Sequence, residues 1–178
     1  MKKRWLWLPL SVLLLLIVLI GGLLVYISPE EELTMDYTQV QIEEKLADIV
    51  RSLKPEVALT ESDINALIKS HMDPQLHEQL VAEGAHFTVG DNKLYARMNV
   101  KAFDTVKAEL QAVYAIEWQE PELKLIPIEL KLKEMTLPIT WLKEISFPIY
   151  DKNNAIISIE RLETIGNELV IRLKLNLY

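Results

Sequence analysis

"LYARMNVKAFDTVKAELQAVYAIEW", residues 94–118, alternates apolar and polar side chains over most of its length. Leu94, Ala96, Met98, Val100 and Ala102 keep one phase. Beyond Asp104, Val106, Ala108, Leu110, Ala112, Tyr114, Ile116 and Trp118 keep it again. A period of two puts every second side chain on one face of a pleated strand, so both runs read as half-buried strands. The second run covers thirteen residues, 106–118, against the five or six of a usual strand. Long antiparallel strands accumulate twist, so the pattern predicts a highly curved antiparallel sheet.

The alternation extends both ways. Upstream, from Ala85, Phe87 and Val89 lead into a Gly90-Asp91-Asn92 turn, which makes a hairpin with the strand that starts at Leu94. Downstream, Leu123 and Leu125 lie on one face, then Ile126, Ile128, Leu130 and Leu132 on the other. The slip at Ile126-Pro127 predicts a bulge or bend. Residues 137–145 form a short helix or an irregular segment. A strand at 155–162, a turn at Gly166-Asn167, and Leu169, Ile171, Leu173, Leu175 and Leu177 in alternation close the chain.

Helical spacing precedes the strands. Ile42, Leu46, Ile49, Val50 and Leu53 form a helical stripe over 38–53, stopped before Pro55. In "ALTESDINALIKSH", residues 58–71, Thr60 and Asp63 make an S/T-x-x-acid capping box that starts a second helix. Ile64, Leu67, Ile68 and His71 share its apolar face, with Asn65 at the edge; Asn65 and His71 read as rim residues that satisfy nearby backbone. Asp73-Pro74 resembles an N-cap followed by Pro at the first helical position, which predicts a third short helix ending near Gly84. The fold class expected is α+β: short helices packed against a long, curved antiparallel sheet.

Residues 5–27 are a run of 23 residues without a charge, against the roughly 20 needed to span a bilayer core. Lys2, Lys3 and Arg4 precede the run and Glu30, Glu31 and Glu32 follow it. The positive-inside bias therefore places the N-terminus in the cytoplasm and the remainder outside. The run is longer than the apolar core of a cleavable signal peptide and ends in Tyr26-Ile27-Ser28-Pro29, so an uncleaved anchor is the preferred reading over a signal peptide. The expected organisation is a basic tip and transmembrane anchor at 1–28, an acidic juxtamembrane linker at 29–37, and an extracytoplasmic domain at 38–178.

The chain has no cysteine, which excludes a disulfide framework, thiol chemistry and a lipid-modified cysteine anchor. An external domain without disulfides is associated with a bacterial cell envelope. Everything after the apolar run carries all 26 acidic residues but only 16 of the 19 basic ones, a net charge of −10. Such a domain repels phosphates, which argues against nucleic acid and against a basic patch for anionic lipid headgroups. Any lipid must then be handled through apolar surface.

A membrane anchor, the "LTESDINALI" helix, long alternating strands, "LKLIPIELKL...LPITWL" and the closing "ISIERLETIGNELVIRLKLNL" together resemble the YpmS-like family of single-pass membrane proteins of Gram-positive bacteria. The layout is also similar to the tubular lipid-binding, or TULIP-like, domains, in which a long antiparallel sheet wraps around a helix and leaves an apolar groove. The resemblance spans nearly the whole chain and implies a fold and a lipid-handling role. It carries over no catalytic or ligand residue.

Motifs for catalysis are missing. There is no G-x-S-x-G, G-x-x-x-x-G-K-[ST] or G-x-G-x-x-G, and His77-Glu78 lacks the second histidine of a zincin helix. His71, His77 and His86 are not at metal-ligand spacing on one helix face. Glu30 to Glu32 and Glu43-Glu44 read as solvated charge. No cofactor is expected.

Three functions remain: lipid binding or handling through an apolar groove, a protein-interaction or scaffold domain of a cell-envelope complex, and an envelope hydrolase without a recognisable site. The candidate groove is Leu46, Ile49, Val50, Leu67, Ile68, Met98, Val100, Tyr114, Ile116 and Trp118, each of which also suits an ordinary core. The partners implied are the cytoplasmic membrane, a lipid, or an envelope protein. A groove predicts a cavity of several hundred Å³ with an open mouth; a scaffold predicts a filled interior.

Overall fold

The computed structural model describes residues 4–38, 56–149 and 157–175. Helix α1 (Arg4–Ile27) is followed by β1 (Glu56–Leu59), α2 (Glu61–His71) and nine further strands. These are β2 (Gln75–His77), β3 (Leu80–Gly90), β4 (Lys93–Ala102), β5 (Val106–Gln119), β6 (Glu122–Leu132), β7 (Met135–Thr136), β8 (Ile145–Pro148), β9 (Ile157–Ile165) and β10 (Glu168–Leu175). The expected helix over 38–53 lies outside the described residues.

Seven strands form one antiparallel sheet in the order β2-β3-β4-β5-β6-β7, with β8 also paired to β6; β1, β10 and β9 form a second. The larger sheet is strongly curled into a half-barrel, and the architecture is α+β. The curl follows from strand length: β4 and β5 pair over ten consecutive positions, from Lys93 opposite Ala115 to Ala102 opposite Val106. Short turns close the hairpins. Asp91 and Asn92 (φ 50° and 58°) join β3 to β4, and the three residues Phe103, Asp104 and Thr105 join β4 to β5; Phe103 and Asp104 (φ 51° and 58°) repeat the paired positive φ of a twist-matched hairpin turn.

On β6 the register with β5 shifts between Val113 and Tyr114, and Ile128 is the extra residue. The bulge re-phases the strand, so Leu123, Leu125 and Leu130 are all buried while Ile128 is exposed. Simple counting put Leu130 on the opposite face from Leu125; the bulge anticipated at Ile126-Pro127 returns it to the core. Residues 139–141 make a single 3-10 turn (Ile139–Trp141).

The third helix expected at 73–84 is replaced by β2 and the start of β3. Leu76, Leu80 and Gly84 are four apart, a helical interval, for two unrelated reasons. A turn at Glu78-Gln79 adds two residues between strands, and a bulge between Ala82 and Gly84 adds one within β3. Asp73 accepts from the Gln75 N–H at 2.9 Å, a local turn instead of a helix cap.

Helix α2 begins where its sequence says. Thr60 Oγ1 accepts from the Asp63 N–H at 3.3 Å, and the Asp63 carboxylate accepts from the Thr60 N–H at 2.8 Å. Ile64, Leu67 and Ile68 are buried against the sheet. Thr60→Ala should cost roughly 1 kcal/mol, read as a lower urea midpoint at unchanged slope. The helix, both sheets and the loop after β7 share one core, in which Phe87, Met98, Tyr114, Leu130 and Phe147 are fully buried.

Residues 9–26 of α1 are exposed, and the apolar stretch Pro9–Ile27 is long enough to cross a bilayer. The helix meets the sheet at β5, and Ile27 packs against the edge of the core. Residues 28–38 then cross the outer face of the sheet from β5 to β3. Glu30 donates its N–H to Glu109 Oε2 at 3.4 Å and accepts from Lys133 Nζ at 2.8 Å. That bond holds the Glu30 carboxyl below its ordinary range and the Lys133 ammonium above its own.

Further along, Glu31 pairs with Arg97 at 2.9 Å, and its carbonyl accepts from Asn99 Nδ2 at 2.6 Å. Leu33 lies against Gly84: a Cβ there would stand 2.0 Å from the Leu33 oxygen. Thr34 O accepts from the Ala85 N–H at 3.3 Å and from Lys69 Nζ of α2 at 2.9 Å. Burial outweighs the nearby Asp36 and lowers the Lys69 pKa. The linker thus covers Asn99 and Glu109, which are buried at the strand faces beneath it.

Candidate lipid-binding cleft

The concave face of the large sheet and the inner face of α2 enclose an apolar space. Among the sequence candidates, Leu67 and Ile68 (α2), Met98 and Val100 (β4) and Tyr114 (β5) are buried, and Ile116 and Trp118 are partly buried against the same core. Leu46, Ile49 and Val50 lie outside the described residues. The free space itself is lined by Leu67, Ile68 and Ile116 from that set, together with Leu59, Ile64, Val89, Leu94, Leu123, Leu125, Phe147 and Leu169. Met98, Val100, Tyr114 and Trp118 do not line it. Strand phase alone identifies Leu94, Leu123 and Leu125 as inward-facing, whereas the contributions of Phe147 and Leu169 depend on how β8 and the second sheet pack. The free volume is about 10 Å³, the room of roughly one water molecule. Among the described residues only apolar side chains line it.

Among the described residues the half-barrel is not closed by a ladder: β2 pairs with β3, and β7 and β8 pair with β6. Helix α2 packs against both β3 and β8 and covers the opening. Side chains bridge the rest of this seam. His71 stacks on Phe147 (centroids 5.1 Å, 27°), His77 lies against Trp141 (5.6 Å), and Lys143 donates to Asp73 at 2.5 Å. The Lys143 bond keeps the Asp73 carboxyl below the usual carboxylate range.

The two rim residues of α2 behave differently. Asn65 Nδ2 donates to Phe87 O at 2.6 Å and Asn65 Oδ1 accepts from the Phe87 N–H at 2.8 Å, so it satisfies a strand edge as expected. His71 Nδ1 lies 2.9 Å from Leu67 O of its own helix, and its other role is the stack on Phe147. His86 faces Glu61 at 3.2 Å. The three histidines are therefore spread over separate interactions. Among the described residues no three His, Asp or Glu groups converge to hold a metal.

Tyr114 is the one candidate with a perturbed proton. Burial raises its phenol pKa well above 10. Because the folded pKa exceeds the unfolded value of about 10, the neutral form stabilises the fold fully below pH 10 and that contribution fades above it. Stability followed by circular dichroism should fall between about pH 10 and 11.5, and Tyr114→Phe should flatten part of that decline.

The features define a class: an α+β domain with a curled antiparallel sheet, an apolar interior under one helix, and an N-terminal apolar helix of membrane-spanning length. No protein-family model matches the chain, and comparisons with curated proteins and with solved structures find no match.

Proposed function

We propose that this is a non-enzymatic, extracytoplasmic lipid-handling domain, held at the cytoplasmic membrane of a bacterium by α1 with its N-terminus in the cytoplasm. The TULIP-like layout and the YpmS-like resemblance belong to the same proposal. Its main support is the seam. An apolar interior lies behind a join made by α2 and side-chain contacts, and among the described residues no hydrogen-bonded ladder links the two ends of the curled sheet. Parting that join costs packing and one exposed ion pair but breaks no strand pairing. An acyl chain enters by such an opening, since about 10 Å³ holds none of it.

A second reading, an interaction or scaffold domain of an envelope complex, is favoured by that same small volume, which is what a filled core leaves. Mass spectrometry separates the two. Residues 29–178 exported without the anchor and purified without detergent should carry a lipid at near-stoichiometric amount. A folded domain free of lipid would overturn the lipid reading and leave the scaffold.

A further inference from the structure

We propose that the end of the sheet formed by the β4–β5 and β6–β7 turns is a membrane-docking tip, in which Phe103 and Met135 insert into the headgroup zone of the bilayer leaflet from which α1 emerges. The inference rests on the reading of α1 as a membrane anchor.

Position comes first. Glu30 is only three positions beyond Ile27, the end of α1, a span of at most about 11 Å. Glu30 is fixed to Glu109 near the start of β5 and to Lys133 at the end of β6. Glu109 lies three residues inside β5, roughly 10 Å from the tip of the β4–β5 hairpin along the strand. The membrane surface and this tip are thereby held at comparable distances from one fixed point. Met135 is two residues from Lys133 itself.

Composition comes second. Phe103 is 66% exposed and Met135 58%; Phe103 sits in the β4–β5 turn and Met135 opens β7 directly after the β6–β7 turn. Phe103 also occupies the left-handed region (φ 51°), where a bulky side chain is disfavoured and where Gly or Asn is the usual occupant. An aromatic ring in that position gains no packing within the domain. Insertion at a headgroup boundary supplies the missing environment.

Charge comes third. Lys101 and Lys107 stand directly opposite each other at the root of the tip. Like charges so placed repel. Lys101 is partly offset by Glu83 at 3.3 Å, whereas Lys107 is exposed and has no ion pair among the described residues. Asp104 and Glu134, exposed in the two turns, contribute two opposing charges, and Lys133 is already paired with Glu30. The tip is therefore close to neutral within a region of net −10, the part of the domain least repelled by a bilayer surface, and its exposed apolar side chains make the contact.

The cysteine-free chain allows a direct test. Single substitutions Phe103→Cys, Met135→Cys, Ile165→Cys and Val18→Cys in the full-length protein, each labelled with an environment-sensitive fluorophore, are placed in nanodiscs of phosphatidylglycerol and phosphatidylethanolamine. Nitroxide lipids then report depth. Ile165, the last residue of β9, is joined through Thr164 to the β3–β4 turn at the far end of β4 and serves as the distal reference. Labels at 103 and 135 should be quenched most by shallow nitroxides, about 5–10 Å into the leaflet, with 18 quenched by deep ones and 165 by neither. Quenching at 18 but not at 103 and 135, or equal quenching at 165, overturns the docking tip and leaves the anchor standing. No quenching at 18 overturns the anchor and the tip together. Because the label at 103 replaces the ring, the Met135→Cys label is also read with Phe103→Asp, which should reduce its shallow quenching severalfold; an unchanged signal would overturn the role of Phe103.

Discussion

Asn65→Ala should destabilise the domain by roughly 2–4 kcal/mol, chiefly because its two hydrogen bonds to Phe87 are lost and two strand-edge groups are left without partners. Phe87 sits opposite Ala96 with both its N–H and its carbonyl turned away from β4, and the Asn65 amide meets both at once. Among the described residues no strand but the short β2 pairs with this edge of β3, and such edges invite pairing with other chains. The loss should appear in chemical denaturation and be accompanied by concentration-dependent association. Asn65→Asp sharpens the test. A carboxylate still accepts from the Phe87 N–H but repels the Phe87 carbonyl, so the variant should be weaker than wild type at neutral pH. Protonation on acidification restores a donor and should recover part of the difference. Equal stability of all three proteins would show that solvent already satisfies the Phe87 backbone.

Gly84→Ala should lift the linker from the sheet. The added Cβ stands 2.0 Å from the Leu33 oxygen and 2.8 Å from the Thr34 nitrogen, and both are main-chain atoms. The linker gives way more easily than a strand held by β4. Its departure removes the bonds from Ala85 to Thr34 and from Asn99 to Glu31 and unseats the Glu30–Lys133 pair. A cost of about 2–3 kcal/mol follows from two or three such bonds at their usual net worth. Limited proteolysis should show new cleavage within 28–38. Gly90→Ala is the control: its nearest neighbour is a Tyr95 ring carbon at 3.7 Å, an ordinary contact, so little should change. A Gly84→Ala protein with wild-type stability and protease resistance would contradict the docked linker.

Much of the sheet was legible because its signals are local. Leu94 to Trp118 carry the strand period in consecutive residues, and Asp91-Asn92 is a turn by its own chemistry. Thr60 and Asp63 complete their capping box within four residues. The failure at 73–84 has the opposite origin. Asp73-Pro74 carries the signature of a helix start and Gly84 that of a helix end, but Asp73 caps only a local turn and Gly84 makes room for Leu33, a contact that no nearby residue announces.

The linker illustrates a second limit. Glu30 and Glu31 read as solvated charge and are largely exposed, yet they are paired with Lys133 and Arg97, 103 and 66 residues away. No short-range pattern encodes such partners. The apolar interior was legible as a set of inward faces, but whether those faces meet or leave a groove depends on side-chain packing, which alternation does not specify. Met98 and Val100 accordingly proved buried without lining the residual space.

The docked linker also sets how the domain searches for whatever it binds. Eleven residues, 28–38, would as a free coil span roughly 17–20 Å on average and let the domain tumble above its anchor. Fastened across three strands, they leave little independent rotation. For a chain anchored through α1, encounter then becomes a problem of lateral diffusion in a plane at one height and one orientation, so that a partner travelling in the same leaflet has an advantage over one arriving from solution.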